Sequence, residues 1–165
     1  MILKRETLET LNTFLVWKYE LAKNADPTKD KPTKVPYCGI EGDPIGTSEK
    51  YRSRLTTYKR ASVTAQFNKR EFDGVGFVFS KVSDKLYICG IDVDGKDPDS
   101  EFVKAIIAMF PNAYIERSPS GNGIHIVMLV DISRIPQKDK KLDPKYYSKN
   151  PKNGVEAYVG STEKV

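Results

Sequence analysis

Apolar positions along this chain change period several times, and each change marks an element. Leu8, Leu11 and Leu15 recur at helical spacing, after which Phe14 to Tyr19 turns strand-like. A polar loop rich in Lys, Asp and Pro runs from Lys23 to Lys31 and leads into Thr33-Lys34-Val35-Pro36-Tyr37, a short segment whose proline suits a sheet edge. Thr47 or Ser48 is then expected to cap a helix of roughly 20 residues at most, with Tyr51, Leu55, Tyr58 and Val63 toward the core. Val75 to Phe79 and Tyr87 to Val93 are apolar runs separated by Ser80 to Lys85, which predicts a hairpin. Asp97-Pro98 supplies a helix start, and Phe102, Ala105, Ile106, Met109 and Phe110 form one apolar helical face that Pro111-Asn112 ends. A second hairpin is expected from Tyr114-Ile115-Glu116 and Ile124 to Val130 around a glycine-containing loop. After a lysine-rich polar stretch from Asp131 to Gly154, Val155 to Val159 alternates cleanly, with Glu156 and Tyr158 opposite the apolar face.

These patterns describe an α+β domain spanning 1–165, with an N-terminal α/β subregion over 1–73 and a core over 74–165. Lys and Arg outnumber Asp and Glu by 27 to 22, a formal charge of +5, which tilts the chain toward acidic partners such as nucleic acid. Cys38 and Cys89 form no CxxC pair, so neither a zinc site nor a disulfide framework is implied, and a reducing cytoplasm fits. No stretch has the length and apolarity of a membrane span, and the N-terminus lacks the apolar centre of a signal peptide, so no membrane partner is expected.

The chemistry concentrates in the second half. Asp92 and Asp94 end the run Tyr87-Ile88-Cys89-Gly90-Ile91-Asp92-Val93-Asp94, and side chains two apart in a strand leave the same face. Two carboxylates so close repel, and paired hard oxygens call for Mg²⁺ or Mn²⁺. A strand entering an Asp-rich turn is the plain alternative. An EF-hand loop is excluded, because Asp97 and Val103 stand where its glycine and glutamate belong. The DxDG sequence Asp92 to Gly95 also resembles the nucleophile motif of haloacid-dehalogenase-type phosphatases, but that motif follows the first strand of a doubly wound sheet and needs a downstream acidic pair. Gly121 and Gly123, with Ser118 and Ser120, build a loop suited to an anion. His125, the single histidine, follows two residues later, where it would reach the same anion, and Glu156 would be a third carboxylate for metal.

Phe72 to Phe79, then Gly90-Ile91-Asp92-Val93-Asp94, then Glu116-Arg117-Ser118-Pro119-Ser120-Gly121-Asn122-Gly123-Ile124-His125-Ile126 together resemble the primase-polymerase (prim-pol) domain of phage and plasmid replication proteins, in the archaeo-eukaryotic primase superfamily. Trp17-Lys18 and Thr33 to Tyr37 resemble that family's N-terminal module, so nearly the whole chain is covered. The resemblance implies an RRM-like antiparallel sheet flanked by helices and a DNA-directed primase and polymerase activity. It implies metal binding and catalysis by Asp92, Asp94 and Glu156, and contact with the incoming triphosphate by Ser118, Ser120, Gly121, Gly123 and His125. Lys34 is implied for template or nucleotide phosphate. The implied partners are a single-stranded DNA template and primer, nucleoside triphosphates and a replicative helicase domain. Family members continue past the third acidic motif with a strand bearing Arg-Phe or Arg-Tyr, whereas this sequence stops at Ser161 to Val165, so a shortened core is expected. The rival expectation is a non-catalytic nucleic-acid-binding domain on the same fold, holding DNA through surface lysines.

Overall fold

The computed structural model describes residues 3–67, 71–118, 121–134, 137–138, 141–142 and 153–159. In chain order these form α1 (Arg5–Thr10), β1 (Phe14–Glu20), β2 (Thr33–Tyr37), α2 (Tyr58–Phe67), β3 (Gly74–Phe77), β4 (Leu86–Asp94), α3 (Glu101–Ala108), β5 (Tyr114–Arg117), β6 (Gly123–Asp131), β7 (Gln137–Lys138), β8 (Lys141–Leu142) and β9 (Val155–Val159). Short 3₁₀ turns cover Glu49–Arg54 and Ile132–Arg134. The described residues are thus α+β, with an antiparallel sheet ordered β2-β1-β3, another ordered β5-β6-β4-β9, and a small β7-β8 ladder. Among them no helix is long and apolar enough to cross a membrane. The chain divides into two compact units, Glu6–Val78 and Met1–Arg5 with Phe79–Val165.

In the Glu6–Val78 unit, β1 is central and its alternation serves both faces. Phe14 packs edge-on against Tyr58 of α2 at 5.5 Å, while Leu15 joins Cys38, Ile45, Leu55 and Val78 in a buried cluster. The single long helix expected after Ser48 is two elements. Thr56 exchanges both backbone hydrogen bonds with Phe14, at 2.8 and 2.9 Å, which forces Leu55 into extended backbone and separates the 3₁₀ turn from α2. Ser48 makes no side-chain cap, and Val63, expected in the core, is exposed.

The hairpin expected between Val75–Phe79 and Tyr87–Val93 does not form. β3 pairs with β1 instead, because Gly74 and Gly76 leave room for the Trp17 ring; a Cβ at either would stand 3.0 to 3.2 Å from it. Only the turn Ser80–Leu86 folds back on the start of β4, through the Lys81–Tyr87 bridge and the Ile88 N–H donated to Ser80.

The other unit is a two-faced sheet. Val93, Ile124 and Ile126 are buried with Val103 of α3, flanked by Ile106, Ile107, Phe110 and Val155. This core face differs from the predicted one. α3 is capped by the Ser100 hydroxyl, which accepts the Val103 N–H, while Asp97 takes the Asp99 N–H in a preceding turn. The later start rotates Val103 and Ile107 inward and leaves Phe102 and Met109 exposed. Each fully buried Val or Ile contributes about 1.5–3 kcal/mol, enough for several of them to fix the register of β4 and β6. Whatever alternates with them is thereby committed to the opposite face.

Candidate active site

What alternates with them is charged. β4 pairs Asp92 with His125 of β6 on one side and with Glu156 of β9 on the other, and β5 pairs Glu116 with His125. Directly opposed residues in antiparallel strands point the same way, so Glu116, His125, Asp92 and Glu156 form one row across the sheet, on the face turned from α3. Asp94 shares this face one pleat further along, opposite Gly123. Four strand segments, separated in the sequence by up to 64 positions from 92 to 156, are therefore joined by register alone.

Within the row, Glu116 Oε1 lies 3.0 Å from His125 Nδ1, and Glu116 Oε2 accepts the Tyr114 hydroxyl at 3.0 Å. His125 Nε2 faces Asp92, 3.8 Å from Oδ1. The hydrogen bond from His125, then that from Tyr114, holds the half-buried Glu116 carboxyl below its ordinary range against the opposing effect of burial. The sequence alone did not mark Glu116; pairing the two arms of the Ser118–Asn122 hairpin residue by residue would have found it.

The next row is aromatic. Tyr158 stands opposite Gly90, and Phe79 stacks on Tyr158 with centroids 5.4 Å apart and planes 10° from parallel. Gly90 makes room for this, since a Cβ there would stand 2.3 Å from the Phe79 ring. The Tyr158 phenol is pushed up to about 12, first by burial and then by Glu156, Asp92 and Asp94. Phe79 and Gly90 both fall within the motif runs, but no site role attaches to either in the sequence, because each matters here through this close approach.

β9 is set by the turn before it. Asn153 Oδ1 accepts the Val155 N–H, Gly154 has φ +73°, and its carbonyl accepts the Asp94 N–H at 2.9 Å. The opposite loop is closed on itself: the Ser118 N–H donates to the Gly123 carbonyl at 3.0 Å and the Gly121 N–H to the Ser118 carbonyl at 2.9 Å. Both bonds close the turn. Ser118 is buried, and Gly123 is pressed so close to the Val93 carbonyl that a Cβ would stand 2.1 Å from it. Ser120 lies outside the described residues, as does most of the lysine-rich stretch. Lys34 belongs to the Glu6–Val78 unit, where its ammonium sits 4.8 Å over the Trp17 ring.

The donor set suits a hard cation. Asp92, Asp94 and Glu156 offer only carboxylate oxygens, and their combined field is felt at Tyr158. They are spread along the face rather than gathered; among the described residues the one trio of donors within 4.8 Å is Cys38, Glu41 and Asp43. That trio already has its cation, since Arg54 donates to Glu41 and to Asp43, each at 2.5 Å, and holds the Asp43 carboxyl low.

The sequence matches no protein-family model and no curated protein.

Proposed function

We propose that this chain is a prim-pol-type nucleotidyltransferase domain, joining nucleotides to a 3′-hydroxyl on a single-stranded DNA template. One observation carries the reading: the first, second and third motif residues, Asp92, His125 and Glu156, are cross-strand partners in one row. The antiparallel sheet β5-β6-β4-β9 with α3 on one face supports an RRM-like core, and its antiparallel pairing is not the doubly wound parallel sheet on which a DxDG phosphatase depends.

Asp92, Asp94 and Glu156 would hold Mg²⁺ or Mn²⁺, which when bound polarises the α-phosphate and neutralises triphosphate charge. The protein's own part is positional. β4 sets Asp92 and Asp94 one pleat apart, β9 brings Glu156 beside Asp92, and His125 offers Nε2 to a phosphate oxygen from the other side. The buried apolar face keeps these strands from sliding, so the donors stay aligned while substrate exchanges.

The test is primer synthesis and extension with Mn²⁺ and nucleoside triphosphates, comparing wild type with Asp92→Ala and Asp94→Ala. Loss in both variants with retained folding supports the assignment. Equal activity overturns it. Salt-sensitive DNA binding by a protein that takes up neither Mn²⁺ nor nucleotide would replace it with the non-catalytic DNA-binding reading.

A further inference from the structure

Glu116 is the member of the row that nucleotidyl transfer leaves without a task. An ionised carboxylate has no proton to donate, so where Glu116 Oε1 meets His125 Nδ1 at 3.0 Å the hydrogen must sit on Nδ1. The carboxylate is itself anchored, since its second oxygen accepts the Tyr114 hydroxyl. With Nδ1–H committed, the ring plane is fixed and Nε2 is the nitrogen turned toward Asp92. A histidine free in water prefers its proton on Nε2, so this arrangement is imposed rather than intrinsic.

We propose that Glu116 is a positioning residue: it keeps His125 protonated on Nδ1 and aims Nε2 along the acidic row, where a nucleotide phosphate is received. The phosphate part of this rests on the nucleotidyl-transfer reading; the tautomer part does not. With Nδ1 held by Glu116 and Nε2 turned toward Asp92, a phosphate received on the acidic row would meet the ring in a single orientation. Glu116 touches no substrate in this scheme and acts only through His125.

His125 is the only histidine, so long-range ¹H–¹⁵N correlation spectra contain one imidazole and need no assignment by mutation. At a pH where the ring is neutral, wild type is expected to show the Nδ1–H tautomer. Glu116→Gln, which keeps shape but offers both donor and acceptor, is expected to shift it toward Nε2–H. Tyr114→Phe removes the anchor but not the acceptor and should leave Nδ1–H predominant. An Nε2–H tautomer in wild type, or no change in Glu116→Gln, overturns the proposal.

In Mn²⁺-dependent extension, Glu116→Gln should raise the nucleotide KM about tenfold with a smaller change in kcat. An unaltered KM beside a shifted tautomer overturns the link to phosphate. A pinned Nδ1–H in a protein with no extension activity leaves the positioning intact and removes the nucleotidyl-transfer reading.

Discussion

Asp92 of β4 and Glu156 of β9 are direct cross-strand partners, two carboxylates placed side by side by the same register that buries Val93 between them and α3. Like charges directly opposed cost about 0.2–1 kcal/mol, well below what the buried residues on the other face contribute. The fold tolerates the acidic pair, and a cation bound at the proposed site would relieve it. Glu156→Gln should therefore raise the urea midpoint in chelator by the equivalent of about 0.2–1 kcal/mol. Mn²⁺ should stabilise wild type and act only weakly on the variant. An equal Mn²⁺ response in both would remove Glu156 from the cation site.

The phenol of Tyr158, pushed up to about 12, gives an optical reading of the same field. In an absorbance titration, the difference between wild type and Tyr158→Phe isolates this tyrosine. Glu156→Gln should move its ionisation down toward the ordinary value of 10.0, and Phe79→Leu, which opens the ring to water, should do the same. A transition already at the ordinary value in wild type would contradict the described packing.

Gly154→Ala should be damaging out of proportion to its size. A Cβ there would stand 2.4 Å from the Asp94 carbonyl, and the φ of +73° is itself unfavourable for alanine. A residue held in such a conformation costs about 1–3 kcal/mol, and the clash adds to it by prising β9 from β4. Urea denaturation should show that loss, and Mn²⁺ stabilisation should fall with it because Glu156 no longer stands beside Asp92.

Acid should find Glu116. Its folded pKa is depressed below 4.5, so its hydrogen bonds contribute stability in full above that unfolded value and lose it as pH falls through the lower folded one. Denaturation midpoints of wild type and Glu116→Gln should differ near neutrality and converge below the ordinary carboxylate range. A gap that persists into strong acid would assign the difference to packing instead.

Much of the strand geometry around these residues was legible in the sequence, and the parts that were not share a cause. Alternation placed Asp92 with Asp94 and Glu156 opposite its apolar neighbours, because side-chain parity is local to a strand. The β5-β6 hairpin was legible for the same reason. Pairing beyond a hairpin is not local: β3 left β4 for β1 because of the Trp17 ring, and Thr56 broke a helix by bonding Phe14 far away in sequence. The face of α3 was misjudged through its start, since moving the cap from Asp97 to Ser100 exchanges Phe102 and Met109 for Val103 and Ile107. Glu116 was invisible for want of register, not for want of pattern.

The two-faced sheet also behaves like a reading frame. Substitutions alter one position of one row, but a single residue inserted into or deleted from the middle of β4 would turn Asp92 toward Val103 and expose Val93 in the same stroke. Length in this strand is thus more constrained than composition. A variant library tolerant of many point changes in β4 should contain almost no folded members with a one-residue gap there.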